Sequence, residues 1–279
     1  MNKAEIFQQI VNRVAEGELA FPTSVRLTMK LRDALSRPDC SSETVVTLLQ
    51  AEPLLSTRVV AMSNSIAFNR SGRNTTDVRT AVQRIGFRAV RALVMAQVMH
   101  QLAGDAGSPR RKALTLQLWE HCAHVASLAH LIARRVTGVD PEAAMFAAIV
   151  HDIGGFYVLS TIDQYPDLLQ GDLSVWLECG QMDVGRAVLR ALHVPESVQQ
   201  AMEVYWEGYL ELPPHSLGDT LLLADELAPV PSPLSVVGAQ GAGVEARASL
   251  NMVIGAETLV AILEESAAEV ASLTAALKA

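Results

Sequence analysis

Aromatic residues make up only 5% of the 279-residue sequence, while hydrophobic residues make up 50%. Alanine, leucine and valine must therefore fill most of the interior, a mix that favours closely packed helices. Cysteine is scarce: Cys40, Cys122 and Cys179 stand far apart with no CxxC pair, which excludes a disulfide framework or zinc ribbon and fits reduced thiols in the cytosol. Basic residues are in deficit, 22 Lys and Arg against 30 Asp and Glu, for a formal charge of -8. That balance argues against nonspecific duplex binding as the main task. No basic-then-apolar leader opens the chain, and no uninterrupted apolar run reaches bilayer-spanning length, so the expectation is a soluble, cytoplasmic protein without a membrane partner. Glycine-rich phosphate loops are missing too, because SGRN and GAQGAG lack the P-loop pattern.

What is present is helical periodicity. Ile6, Phe7, Ile10, Val11 and Val14 form a stripe ended by Gly17, and Phe21-Pro22 starts a second segment that reads as a helix from Val25 to Ser36. Ser41 or Ser42 caps the next helix, and Pro53 suits the first turn of another that reaches Asn64-Ser65. Thr76 or Asp77 caps a helix closed by Gly86, and Phe87 to Leu102 is helical again. A long helix over about 111–137 places His121 inside an apolar stripe, with His124 at its margin and His130 on the polar side. Asp140-Pro141 opens the helix that delivers His151-Asp152, and a further helix from Phe156 ends near Tyr165-Pro166. Separate helices cover 173–179 and Asp183–Leu192, and the helix after Pro195 carries Met202. With Met95 and Met99, that methionine reads as core filler. These signals predict an all-α, two-lobed helical bundle. Its divisions are an N-terminal lobe at 1–104, a second helical subdomain at 105–228, a linker at 229–250 and a C-terminal helix at 251–279.

The residues with chemistry are His121, His151, Asp152 and Asp225. Two imidazoles and two carboxylates set in apolar helices are costly to bury unless ligated or hydrogen-bonded. Brought together, they could hold an octahedral divalent ion such as Mg, Mn or Fe, which would polarise water or a phosphate oxygen. The alternative is a hydrogen-bonded polar cluster in a packed core.

These segments carry a resemblance. LWEHC at 118–122, IVHDIGG at 149–155 and LLLADELA at 221–228 resemble the successive H, HD and D segments of the HD phosphohydrolase superfamily, which makes the second subdomain HD-like. PLLSTRVVAMSNSIAF at 53–68 and AVQRIGFRAVRALV at 81–94 are more specifically similar to the HDOD domain, a degenerate branch of that superfamily found in bacterial signalling proteins. The resemblance implies that two further histidines would sit between HD and the last aspartate in a fully armed enzyme. Gln181, Tyr205 and Trp206 stand where they would be, and Gly155 replaces the lysine that follows HDIG in active members. Losing ligands and a cation weakens ion binding and charge stabilisation.

The resulting expectation is a non-catalytic, regulatory signal-transduction module with no bound cofactor, its quartet a vestige of a metal site. It would act on another signalling protein or on a second copy of itself. A metal-dependent phosphohydrolase or cyclic-dinucleotide phosphodiesterase is one alternative. A DNA-binding regulator reading through Arg79, Arg84, Arg88 and Arg91 is another, although these arginines more simply solvate helix faces or pair with carboxylates. The C-terminal helix is expected to fold back on the long helix near His121, with pairing to another subunit as the alternative.

Overall fold

The structure, a computed structural model, describes residues 2–16, 26–103, 108–171, 173–235, 251 and 255–278. The Gly17 stop, the Phe21-Pro22 start and most of the 229–250 linker lie outside them. Among the described residues every regular element is helical, as the periodicity predicts. In order these are α1 (Lys3–Ala15), α2 (Arg26–Ser36), α3 (Ser42–Gln50), α4 (Pro53–Ser63), α5 (Val78–Ala103), α6 (Pro109–Ile132), α7 (Pro141–Val150), α8 (Ile153–Thr161), α9 (Gln181–Ala191), α10 (Glu196–Glu207), α11 (Leu217–Leu227) and α12 (Ala256–Lys278).

Local chemistry explains most of the boundaries. Ser41 accepts from the Thr44 amide, Asp77 from Thr80, and Asp140 from Glu142 and Ala143, each satisfying free amides of a first turn. Prolines occupy the first turns of α4, α6 and α7, where no amide proton is needed. Gly86 adopts φ 75° and breaks α5 into two segments at the expected place. Three boundaries differ from the sequence reading. The long helix ends at Ile132 and loosens into a π turn, Ala133–Thr137. The segment expected as a separate helix at 173–179 is a π turn, Trp176–Gly180, that runs straight into α9, because no turn residue separates them. The helix expected to reach Tyr165-Pro166 stops at Thr161 and continues as turns.

One apolar core runs through both lobes, and Met95, Met99 and Met202 are all part of it. The first helix crosses between the lobes. Although α1 opens the N-terminal stretch, it packs on α9 and the Trp176 turn, with the Phe7 and Trp176 rings 5.5 Å apart. Pro141–Thr161 is the one stretch among the described residues whose length and mean composition match a bilayer span, although Glu142 and His151-Asp152 interrupt it. In this fold 89% of its most apolar 18-residue window is buried, so it serves as the core.

The C-terminal helix docks within the chain, on α6 and α4. It lies farther along α6 than His121: the Ser127 hydroxyl donates to the Ser266 carbonyl at 3.3 Å, and Arg135 pairs with Glu265. Its Glu269 reaches to within 3.6 Å of His130 Nδ1, while Phe68 stacks on the same ring. His130 is therefore 7% exposed rather than on a polar face. A surface supplied by an element more than a hundred residues away cannot be read from α6 alone.

Candidate functional site

Each member of the quartet is delivered by a different helix end or face. His121 projects from the buried side of α6, His151 terminates α7, Asp152 stands before the first residue of α8, and Asp225 lies in the last turn of α11. An aspartate before a helix ordinarily caps it, but the Asp152 side chain makes no capping bond. It points instead into the cluster, where the positive end of α8 still favours its charge. Close approach of the neighbouring helix α9 depends on Gly154. A Cβ there would lie 2.8 Å from the backbone nitrogen of Gly185.

The hydrogen bonds on the far side of each imidazole fix what faces the centre. His121 Nδ1 is 2.8 Å from the Val230 carbonyl, and His151 Nδ1 is 2.6 Å from the Ala148 carbonyl. A carbonyl only accepts, so both Nδ1 atoms carry hydrogen, and both neutral rings turn an Nε2 lone pair inward. Those nitrogens are 3.1 Å apart. Asp225 Oδ1 lies 3.1 Å from His121 Nε2, and Asp152 Oδ2 lies 3.5 Å from His151 Nε2 and 3.8 Å from His121 Nε2.

Two lone pairs at that separation repel unless a positive species sits between them. A proton on His121 Nε2 satisfies the demand, bonding to Asp225 Oδ1 and facing the His151 lone pair. Burial opposes that charge, but the hydrogen bond to Asp225 and the fields of Asp152 and Asp225 prevail, holding the His121 pKa up at about 9. Burial would likewise raise Asp225, yet His121 and the Tyr205 phenol bring its carboxyl below the ordinary range. A divalent cation satisfies the same demand. Nitrogens about 2.1 Å from one ion and at right angles lie about 3.0 Å apart, so His121, His151 and Asp152, whose donor atoms all lie within 4.8 Å of one another, fit as its ligands. Such an ion would supply Lewis acidity toward a bound water or phosphate.

The surroundings are closed. Both histidines and Asp152 are no more than 3% exposed, and only the Asp225 side chain, at 30%, meets solvent. The Tyr205 hydroxyl donates to Asp225 Oδ2 at 3.0 Å, and its ring packs edge-on against His151. The Ser232 hydroxyl donates to Asp152 Oδ2 at 3.0 Å. Of the substituted positions, Tyr205 thus borders the quartet directly. Trp206 turns away to fill the space over Gly185 and lies 5.7 Å from the Arg186 guanidinium carbon. Gln181 is the first residue of α9, half-buried beside the Trp176 turn.

Over residues 21–207 the sequence matches the HDOD domain. The chain belongs to the HDOD domain family. No curated protein matches it. Among solved structures, this HDOD protein is similar to a Shewanella amazonensis SB2B protein provisionally named a metal-dependent phosphohydrolase, with a TM-score of 0.70, 20% identity, and 97% of this chain and 99% of that one covered. It is also similar to an HDOD domain protein of unknown function from Geobacter sulfurreducens, with a TM-score of 0.59, 21% identity and coverage of 94% and 97%. A Marinobacter aquaeolei VT8 protein provisionally named for signal transduction aligns with a TM-score of 0.64 and 14% identity, over 99% of this chain and 66% of that one. At these identities the likeness establishes the shared all-α fold.

Two residues next to the quartet escaped the sequence reading, Val230 and Ser232, as did Leu234 beside Gly155. They lie in a stretch that composition marks as linker. Val230 acts through its backbone, Ser232 through a small hydroxyl, and Leu234 as a buried core side chain, so no periodic signal exposes them. Asp219, which the sequence reading passed over, accepts from the amides of Glu211, His215 and Ser216; the Ser216–Asp219 capping-box spacing is the signal that marks it.

Proposed function

We propose that this HDOD domain is a non-catalytic signal-transduction module of the cytoplasm. Its rigid helical shell would present a surface to another signalling protein or to a second copy. The observation that carries the reading is the closure of the quartet. Tyr205 and Ser232 each occupy one oxygen of Asp225 and Asp152, the Val230 carbonyl holds the outer nitrogen of His121, and Leu234 fills the space beside Gly155 where the superfamily resemblance puts a lysine. A phosphoryl-transfer site needs an open coordination position and a cation to stabilise developing charge. Family membership agrees with signalling, and the Marinobacter protein bears a signal-transduction name.

One observation favours a second reading, a metal-dependent phosphohydrolase or cyclic-dinucleotide phosphodiesterase. Both Nε2 lone pairs converge at ion-binding separation, and the Shewanella protein carries a phosphohydrolase name. Metal analysis combined with a turnover screen in manganese, magnesium and iron separates the two. About one metal per chain together with multiple turnovers of a phosphomonoester or cyclic dinucleotide overturns the signalling assignment. The DNA reading gains no support from the arginines that suggested it. Arg79 pairs with Glu43, Arg88 with Asp140, Arg84 donates to the Ser63 carbonyl, and Arg91 is turned inward onto the Leu35 carbonyl.

A further inference from the structure

The loop that follows α4 is held in shape from within while its tip faces solvent. Asn64 donates to the Thr75 carbonyl at 2.7 Å and accepts from the Thr75 amide at 2.8 Å, so one side chain ties the two ends of the loop together. Arg84 braces that asparagine and the Ser63 carbonyl, and inside the loop Asn69 donates to Asn74 at 3.0 Å. A loop ordered in advance loses little freedom when something docks on it. It presents Ile66, 59% exposed, with Arg70 and Arg73, two exposed cations that have no ion-pair partner among the described residues. In a chain of formal charge -8, spare cations beside an exposed isoleucine suit a surface that is acidic around an apolar centre.

The chain itself carries such a surface. Along α12, Glu257, Val260 and Glu264 follow one another at spacings of three and four, which puts them on one face of the helix. Val260 is 53% exposed and lines a shallow groove with Ala256 and Ala261, while Glu257 and Glu264 are exposed and unpaired among the described residues. We infer that the 66–73 loop of one copy docks on this face of α12 in a second copy, Ile66 against Val260 and the two arginines against the two glutamates. The inference rests on the reading of this module as one that works by pairing, and it names the second copy as the partner. Both patches flank one seam, since α12 packs on α4, and Phe68 of the loop meets Glu269 of α12 on the same His130 ring. A twofold axis beside that seam makes the contact twice and closes the pair. Exposed ion pairs contribute little singly, so the apolar centre and the doubling hold the dimer while the charges select the partner.

Sedimentation equilibrium of the full-length protein, up to millimolar concentration, tests the contact. The parent should form a reversible dimer that weakens as salt is raised. Arg70→Glu with Arg73→Glu, and separately Glu257→Lys with Glu264→Lys, should each weaken self-association at least about tenfold, because like charges then face one another in both contacts. Mixing the two variants should restore a one-to-one pair, since each acidic loop then meets a basic helix and each basic loop an acidic one. All four positions are exposed, so helical circular dichroism should match the parent in every variant. A parent that stays monomeric throughout, a dimer indifferent to the reversals, or a mixture that fails to pair would each overturn the contact. Phosphate release in the metal screen would instead overturn the non-catalytic reading and leave the contact standing.

Discussion

Replacing Asp152 probes the quartet most directly. In Asp152→Ala the Ser232 hydroxyl loses the acceptor it holds at 3.0 Å, and a protonated His121 loses a carboxylate 3.8 Å away in a nearly water-free setting. An orphaned donor plus a weakened buried charge pair costs roughly 1–3 kcal/mol. In a chain of this size that lowers the thermal midpoint by about 2–5 °C. Asp152→Asn keeps an acceptor for Ser232 but removes the charge, so its midpoint should fall between parent and alanine. Differential scanning calorimetry in the presence of a chelator gives the comparison free of ion binding. An alanine variant that melts with the parent would refute the account of the quartet as a mutually satisfied cluster. An asparagine variant less stable than alanine would refute the role given to Ser232.

Other expectations follow from single contacts. Tyr205→Phe should keep the fold and lose about 1 kcal/mol, measured by urea denaturation, since only its bond to Asp225 disappears. Gly154→Ala should be clearly more destabilising than Gly155→Ala, by roughly 1–3 kcal/mol, because its new Cβ meets the Gly185 backbone and not a leucine tip that can rotate. Asp219 gives a pH signature. Burial would raise its carboxyl, but the Ser216 hydroxyl and the amides of Ser216, His215 and Glu211 outweigh that and hold it below the ordinary range. Its contribution is fully present above the unfolded-state pKa and is lost as pH falls through the lower folded value. Denaturation midpoints of parent and Asp219→Asn should therefore differ at pH 7 and converge in strong acid; a gap that stays constant would contradict the assignment.

Much of the helical layout was legible because its signals are local. Ser41, Asp77, Asp140 and the helix-opening prolines act within one turn of their own position, and Gly86 breaks its helix by its own backbone. The quartet was legible because His and Asp on apolar faces are conspicuous. What sequence missed depends on partners distant along the chain. His130 is covered by Glu269 and Phe68, Trp206 is drawn to the gap left by Gly185, and the Val230–Leu234 stretch reads as linker until its contacts are seen. The π turns at Ala133–Thr137 and Trp176–Gly180 carry no composition signal, because they differ from α-helix by one residue of hydrogen-bond register.

The route taken by α1 bears on how the protein is made. Phe7, Ile10 and Val14 leave the ribosome well before their shelter, since the Trp176 turn and α9 are translated about 170 residues later. At ordinary elongation rates the leading helix waits roughly ten to thirty seconds with its oily side uncovered. Chaperone capture during synthesis should fall on the exposed α1 segment, and supplying α1 as a separate peptide should restore a chain that lacks it.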